Sequence, residues 1–358
     1  MTRGCTRRLI WGAVFGFMSL VALSTAQDVG GLVAVSKPPA PVVPSDPAQG
    51  LLFDLNADMS ASAPMFDTAG GPIVLNYLSF DPEGNAYLSF DDGPSEAAPG
   101  GIMVVNDFLA RANNTFDPSQ DRLITGRQSG LDKPKDLIVL EDEGVIIVSD
   151  FGAAKLAVFD AAREGDATPL FETTDLGVTE SGDPRRPWGL AYDLESDRLY
   201  VGGTDGVLLV YQNYLTKQGS GGPDALVAPS LNGEKVSANL HDLVYDAESN
   251  VLILSDVGSA TTTDQAGFDS DGSVFIIAAP DLAEGPTEVQ LVLAGANTLL
   301  GNPVGLAFDG ANLYVSEKTK DVILRFDGLL SLEQTADIFP SAVVTVPQPE
   351  GIILEPKN

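Results

Sequence analysis

The stretch RPWGLAYDLESDRLYVGGTDGVLLVYQN, from Arg186 to Asn213, decides the fold. It holds three short runs in which apolar residues alternate or cluster, GLAY, RLYV and VLLVY, separated by an acidic turn and a glycine-rich turn. Such period-2 runs bounded by turn formers are the signature of short antiparallel strands. Variants of the same text recur. They are VLNYLSFDPEGNAYLSFDD from Val74, KPKDLIVLEDEGVIIVSDFGAAKLAVFD from Lys133, NLHDLVYDAESNVLILSDVGS from Asn239 and NPVGLAFDGANLYVSEKTKDVILRFDG from Asn302, and PEGIILEP from Pro349 is one more first strand.

Aligned on the apolar residue of the first strand, the units start at Leu78, Leu137, Leu190, Leu243, Leu306 and Ile352, with spacings of 59, 53, 53, 63 and 46 residues. Repeats of about 40 to 50 residues with four strands each are propeller blades rather than solenoid coils. The expected architecture is therefore an all-β, six-bladed propeller of four-stranded antiparallel blades. The last start has no partners of its own, whereas GGLVAVSK, GLLFDLNAD and PMFDTAG near the other end are strands without a blade. Joining them predicts that the last blade is closed by both termini, which removes the exposed edges of an open array. Acids three residues beyond the starts (Asp81, Asp193, Asp246, Asp309, Glu355) and thirteen beyond (Asp91, Asp150, Asp256) read as turn formers bonded to neighbouring backbone.

Residues 1–26 read as a signal peptide. Arg3, Arg7 and Arg8 precede an apolar run from Leu9 to Leu23, and Ser24-Thr25-Ala26 offers small residues for cleavage. Thr6-Arg7-Arg8-Leu9-Ile10 is also similar to a twin-arginine export motif. The expectation is a secreted or periplasmic protein with one propeller domain over 27–358, in which 38–49 is a proline-rich loop or linker. The only cysteine, Cys5, lies inside the leader, so the mature chain has no thiol for a disulfide or a metal. The formal net charge is −30, and losing three arginines makes the mature chain more negative still. Nucleic acid and anionic membranes are repelled by such a surface and are not expected as partners. No stretch is long and apolar enough for a membrane span.

The pattern P-x-G-[LI]-A-[YF]-D, then [RN]-L-Y-V, then a third strand ending in an aromatic residue or Asp, resembles the six-bladed propellers that include NHL-repeat proteins. It is also similar to YWTD blades and to the senescence-marker/gluconolactonase group. That last resemblance implies a divalent metal, usually calcium, held at the channel mouth by Glu, Asn and Asp, the latter two in P-N-G and P-D-G blade starts. The matching starts here are Pro187-Trp188-Gly189 and Pro303-Val304-Gly305, both apolar at the ligand position. Glu350 supplies a carboxylate at such a position, with Asn76 and His241 at the equivalent place in other blades. His241 is the only histidine, which excludes propeller lyases and esterases that use several. No G-x-S-x-G, H-E-x-x-H or phosphate-cradling glycine loop occurs.

Two candidate sites emerge. Asp264, Asp269 and Asp271 form either a calcium loop or a solvated acidic insertion; the carboxylate due at the twelfth position of a calcium-binding loop falls on Ala278. At the upper face, where loops enter the first strands, topology collects Lys133, Lys135, Lys155, Arg185, Arg186, Lys318 and Lys320, while most first-to-second turns put acids on the lower face. Lys135, Arg186, Trp188 and His241 should converge there, with Tyr77 and Glu350 at equivalent channel positions and Asp136 and Asp242 one residue further on. An aromatic among cations suits a small anionic or sugar-like ligand, or an extracellular protein partner. The expected function is a monomeric ligand- or protein-binding module without an evident catalytic constellation; the alternative is a metal-dependent hydrolase of the gluconolactonase type.

Overall fold

Six first strands line one axis: Leu75–Phe80, Pro134–Leu140, Pro187–Asp193, Leu240–Asp246, Pro303–Phe308 and Pro349–Leu354. In the computed structural model, which describes residues 31–36, 52–56, 58–60, 62–66, 74–91, 100–111, 115–259, 270–279 and 283–356, each of these strands touches the next and the sixth touches the first. The chain is a six-bladed β-propeller of antiparallel four-stranded blades. The proposed leader and proline-rich stretch lie outside the described residues. No helix among the described residues is long and apolar enough to cross a membrane.

The strand pattern follows from what each strand must bury. Second strands are covered on both faces by neighbouring blades, so Val145–Asp150, Arg198–Gly203 and Val251–Asp256 are buried almost throughout. This explains why their text is nearly continuous in apolar residues rather than alternating. The core is correspondingly divided into six apolar layers, each between two adjacent blades. The layer holding Val33, Val35 and Phe66 with Leu75, Leu88 and Phe90 closes the ring.

The last blade is shared as expected. Leu32–Ser36 lies antiparallel between Pro349–Leu354 and Leu52–Leu55, with Val33 opposite Ile353, and Ser62–Phe66 is outermost. Extra strands appear on the rim. Gly285–Glu288, from the fourth blade, pairs in parallel with Ala225–Leu231 of the third, and Thr335–Ala336 of the fifth pairs in parallel with Leu291–Ala294 of the fourth.

The acidic turn positions behave as turn formers. Asp81 accepts from Asn85 N at 2.9 Å and Tyr87 OH at 3.2 Å, and Asp309 repeats this with Asn312 N at 2.6 Å and Tyr314 OH at 3.1 Å. At the other end of the blades, Asp150 and Asp256 accept from the backbone entering their own first strands, at Asp132, Lys133, Ala238 and Asn239.

Candidate functional site

The channel is built by a bulge repeated in the first strands. Pairing with the second strand slips between Pro134 and Leu137, between Pro187 and Leu190, and between Leu240 and Leu243. Serines of the second strands fill the gaps: Ser89, Ser149 and Ser255 accept from the N–H of Tyr77, Asp136 and Asp242 at 3.1, 3.0 and 2.8 Å. Ser89 and Ser149 also donate to the carbonyls of Lys135 and Trp188 in the following blades. Two rings of residues result. The upper contains Asn76, Lys135, Trp188, His241, Val304 and Glu350; the lower contains Tyr77, Asp136, Gly189, Asp242, Gly305 and Gly351.

Glycine is required in the lower ring by close approach rather than by a positive φ. A Cβ on Gly189 would collide with the His241 carbonyl, and one on Gly305 with that of Glu350. The room left is taken by Tyr77, which reaches across the channel and donates its hydroxyl hydrogen to the Val304 carbonyl. Burial, and the carboxyl groups of Asp242, Asp136 and Glu350, push this phenol well above its ordinary value, so it stays protonated.

In the upper ring Trp188 stacks on His241, ring centroids 3.9 Å apart and planes 13° from parallel. Phe151 also meets Trp188 edge-on, ring centroids 5.3 Å apart, and the Lys135 ammonium stands 5.1 Å from the indole centroid. Burial first, then Lys318 and Lys135, hold His241 down to about 3, so its imidazole is neutral near pH 7. Its Nδ1 is buried without a hydrogen-bond partner among the described residues. The indole Nε1 of Trp188 lies beside the Tyr77 hydroxyl without a well-formed bond to it.

The structure thus brings Lys135, Trp188, His241 and Tyr77 together, while Arg186 sits apart. Its exposed guanidinium donates to the Phe151 and Gly152 carbonyls at 2.6 and 3.1 Å and lies 5.0 Å from the Phe151 ring, reaching Trp188 only through that phenyl group. The cations are also less available than topology suggests. Lys135 is bonded to Asp91 at 2.6 Å, Lys155 to Glu172 at 2.5 Å, Arg185 to Asp205 at 2.8 Å and Lys318 to Glu350. Asp91 and Phe151 were not singled out as mouth residues from sequence, although each stands just past a second strand, where blade alignment puts the upper face; Lys318 was expected on that face, but not its pairing with Glu350.

Among the described residues no three His, Cys, Asp or Glu side chains are grouped to hold a metal. The upper ring does not fit a cation: Glu350 is neutralised by Lys318, Asn76 is spent on Asp91 and the Pro134 carbonyl, and the Lys135 ammonium adds a repelling charge. Of the acidic insertion, Asp264 and Asp269 lie outside the described residues. Asp271 accepts from Ser259 N at 2.9 Å.

No family model and no curated protein matches this chain. Among solved structures, the chain is similar to one described as the crystal structure of a nidogen/laminin complex. The TM-score is 0.57 and the identity 15%, over 91% of this chain and 98% of that one. A likeness at that identity shows the fold.

Proposed function

We propose that the protein is a non-catalytic binding module whose upper channel mouth takes a small anionic or sugar-like ligand, or the polar side chains of an extracellular protein partner. The observation that carries this is the Trp188–His241 stack, a flat neutral surface flanked by two ammonium groups and backed by an unpartnered imidazole nitrogen. Stacking on Trp188 with charge-assisted bonds from Lys135 suits such ligands. The similar solved structure is a complex between proteins, which supports the use of this fold for recognition. The resemblance to NHL-repeat and gluconolactonase-like propellers belongs to the same proposal, as do export through residues 1–26, a monomeric state, and calcium at Asp264, Asp269 and Asp271. The lactonase alternative is weakened by the commitment of Glu350 to Lys318.

The test uses fluorescence. Of the two tryptophans, Trp11 lies in the proposed leader, so in the processed protein Trp188 is the sole reporter. Titration with sugar acids should change its emission saturably, Lys135→Met should abolish the change, and no lactone should be turned over. Silence across sugars, sugar acids and a pull-down of extracellular proteins would refute the proposal.

A further inference from the structure

Below the lower ring the channel opens into a second chamber, independent of the mouth. It is a cavity of 280 Å³ lined by Tyr77, Asp136 and Asp242 at its inner end and by apolar side chains such as Ile138, Val244 and Phe308 along its walls. Burial decreases toward the lower face, where Tyr192, Tyr245 and Leu354 are half-buried, so the chamber is a funnel open at that side.

Asp136 and Asp242 are 6% and 5% exposed. Each oxygen accepts one backbone N–H: Asp136 from Leu137 and Leu190, both at 2.7 Å, and Asp242 from Leu243 at 2.8 Å and Leu306 at 2.6 Å. A carboxylate has room for about four such bonds, so half of each one's capacity is unused. Of the other buried carboxylates, Asp121 has Arg111 and Glu350 has Lys318 as counter-ion, while Asp150 and Asp256, which have no salt-bridge partner among the described residues, accept three backbone N–H bonds each rather than two. Among the described residues Asp136 and Asp242 have no counter-ion. Two buried like charges without a cation are costly, and such a pair either keeps a proton or recruits a positive charge. Burial raises Asp136 to about 7, and burial together with Asp136 drives Asp242 well above the usual carboxylate range.

We propose that this funnel binds a small alkylammonium cation, its ammonium between Asp136 and Asp242 and its carbon chain against the apolar walls. Three ammonium N–H donors match the unused carboxylate acceptors, and the methylenes match Ile138, Val244 and Phe308. A bare metal ion would need more oxygen ligands than two carboxylates supply. An anion or an uncharged hydrocarbon would leave the carboxyl groups as they are. The size is near the small end of ligand pockets, about 300 Å³. Asp193, Asp246 and Glu355 at the rim, on a chain of net charge −30, raise the local concentration of cations. When the pair holds a proton, binding displaces it to solvent.

The experiment is calorimetric titration of the intact protein at pH 7 with n-butylammonium chloride, with butan-1-ol as the neutral control and potassium chloride at matched ionic strength. One saturable site per chain is expected, with proton release detected as a difference between buffers of unlike ionisation enthalpy. Butan-1-ol should bind at least about tenfold more weakly, and Asp242→Asn should lose about tenfold or more, the loss expected of a charge-assisted bond. Ser79 lines the same wall, and Ser79→Phe, which fills the funnel and spares both carboxyl groups, should abolish binding. If Asp242→Asn fails to fold, Ser79→Phe decides alone. Equal binding of the alcohol, binding untouched by Ser79→Phe, or no heat beyond dilution would overturn the proposal.

Discussion

Tyr77 of the first blade donates its hydroxyl to the carbonyl of Val304 in the fifth, 227 positions along the chain, and so bridges the channel that the six first strands surround. Tyr77→Phe keeps the ring and removes only that bond, leaving a buried carbonyl short of a donor. The expected cost is about 1 kcal/mol. A thermal melt that does not move would mean the bond carries no net stability.

Lys135→Met leaves Asp91 with Asn76 but without its ammonium. Stripping one partner from a largely buried pair should destabilise by about 3 kcal/mol, and more than replacing both Lys135 and Asp91 with apolar residues. Denaturant unfolding of the single and double variants measures the difference.

His241 and the Asp136–Asp242 pair impose opposite pH dependences. The imidazole titrates near 6.5 when unfolded and about 3 when folded, so the unfolded state binds the extra proton and stability is lost as pH falls below about 6.5. The carboxyl pair is raised, so its contribution is full below about pH 4 and is lost as pH rises toward 7. The two slopes oppose each other between those limits. Relative to the parent, His241→Phe should gain stability on acidification from pH 6.5 to 5, and Asp242→Asn should lose it. Parallel curves for all three proteins would contradict both assignments.

Net charge sets a further expectation. With −30 spread over the chain, salt should stabilise the fold as it screens repulsion over a Debye length of about 10 Å at 0.1 M. Melting temperature should climb from low salt to that level and then flatten.

Legibility varied with distance along the chain. Blade starts, acidic turns and the shared last blade could be read because each follows from local alternation and from orphan strands such as LVAVS. Convergence of Lys135, Trp188 and His241 followed from alignment alone, since equivalent positions in a ring face one axis. Arg186 escaped because it stands two residues before Trp188, outside the bulged segment, and its long side chain folds back onto Phe151 of the preceding blade. The Lys135–Asp91 and Lys318–Glu350 pairs join different blades, so they depend on how neighbouring blades stand against each other, which no single repeat encodes. The parallel rim strands were invisible because Gly285–Glu288 has neither alternation nor β-branched enrichment.

Those rim strands give assembly a direction. The third blade is finished by a segment of the fourth, the fourth by a segment of the fifth, and Ile124 in the first is bridged by Gly165 of the second. Until those segments are made, the outer edges of the first, third and fourth blades stand raw. A different edge, that of Leu32–Ser36, stays open until Pro349–Leu354 pairs with it and closes the ring. Premature termination anywhere before that strand leaves not a smaller propeller but an adhesive one, with backbone donors and acceptors ready to pair with another copy.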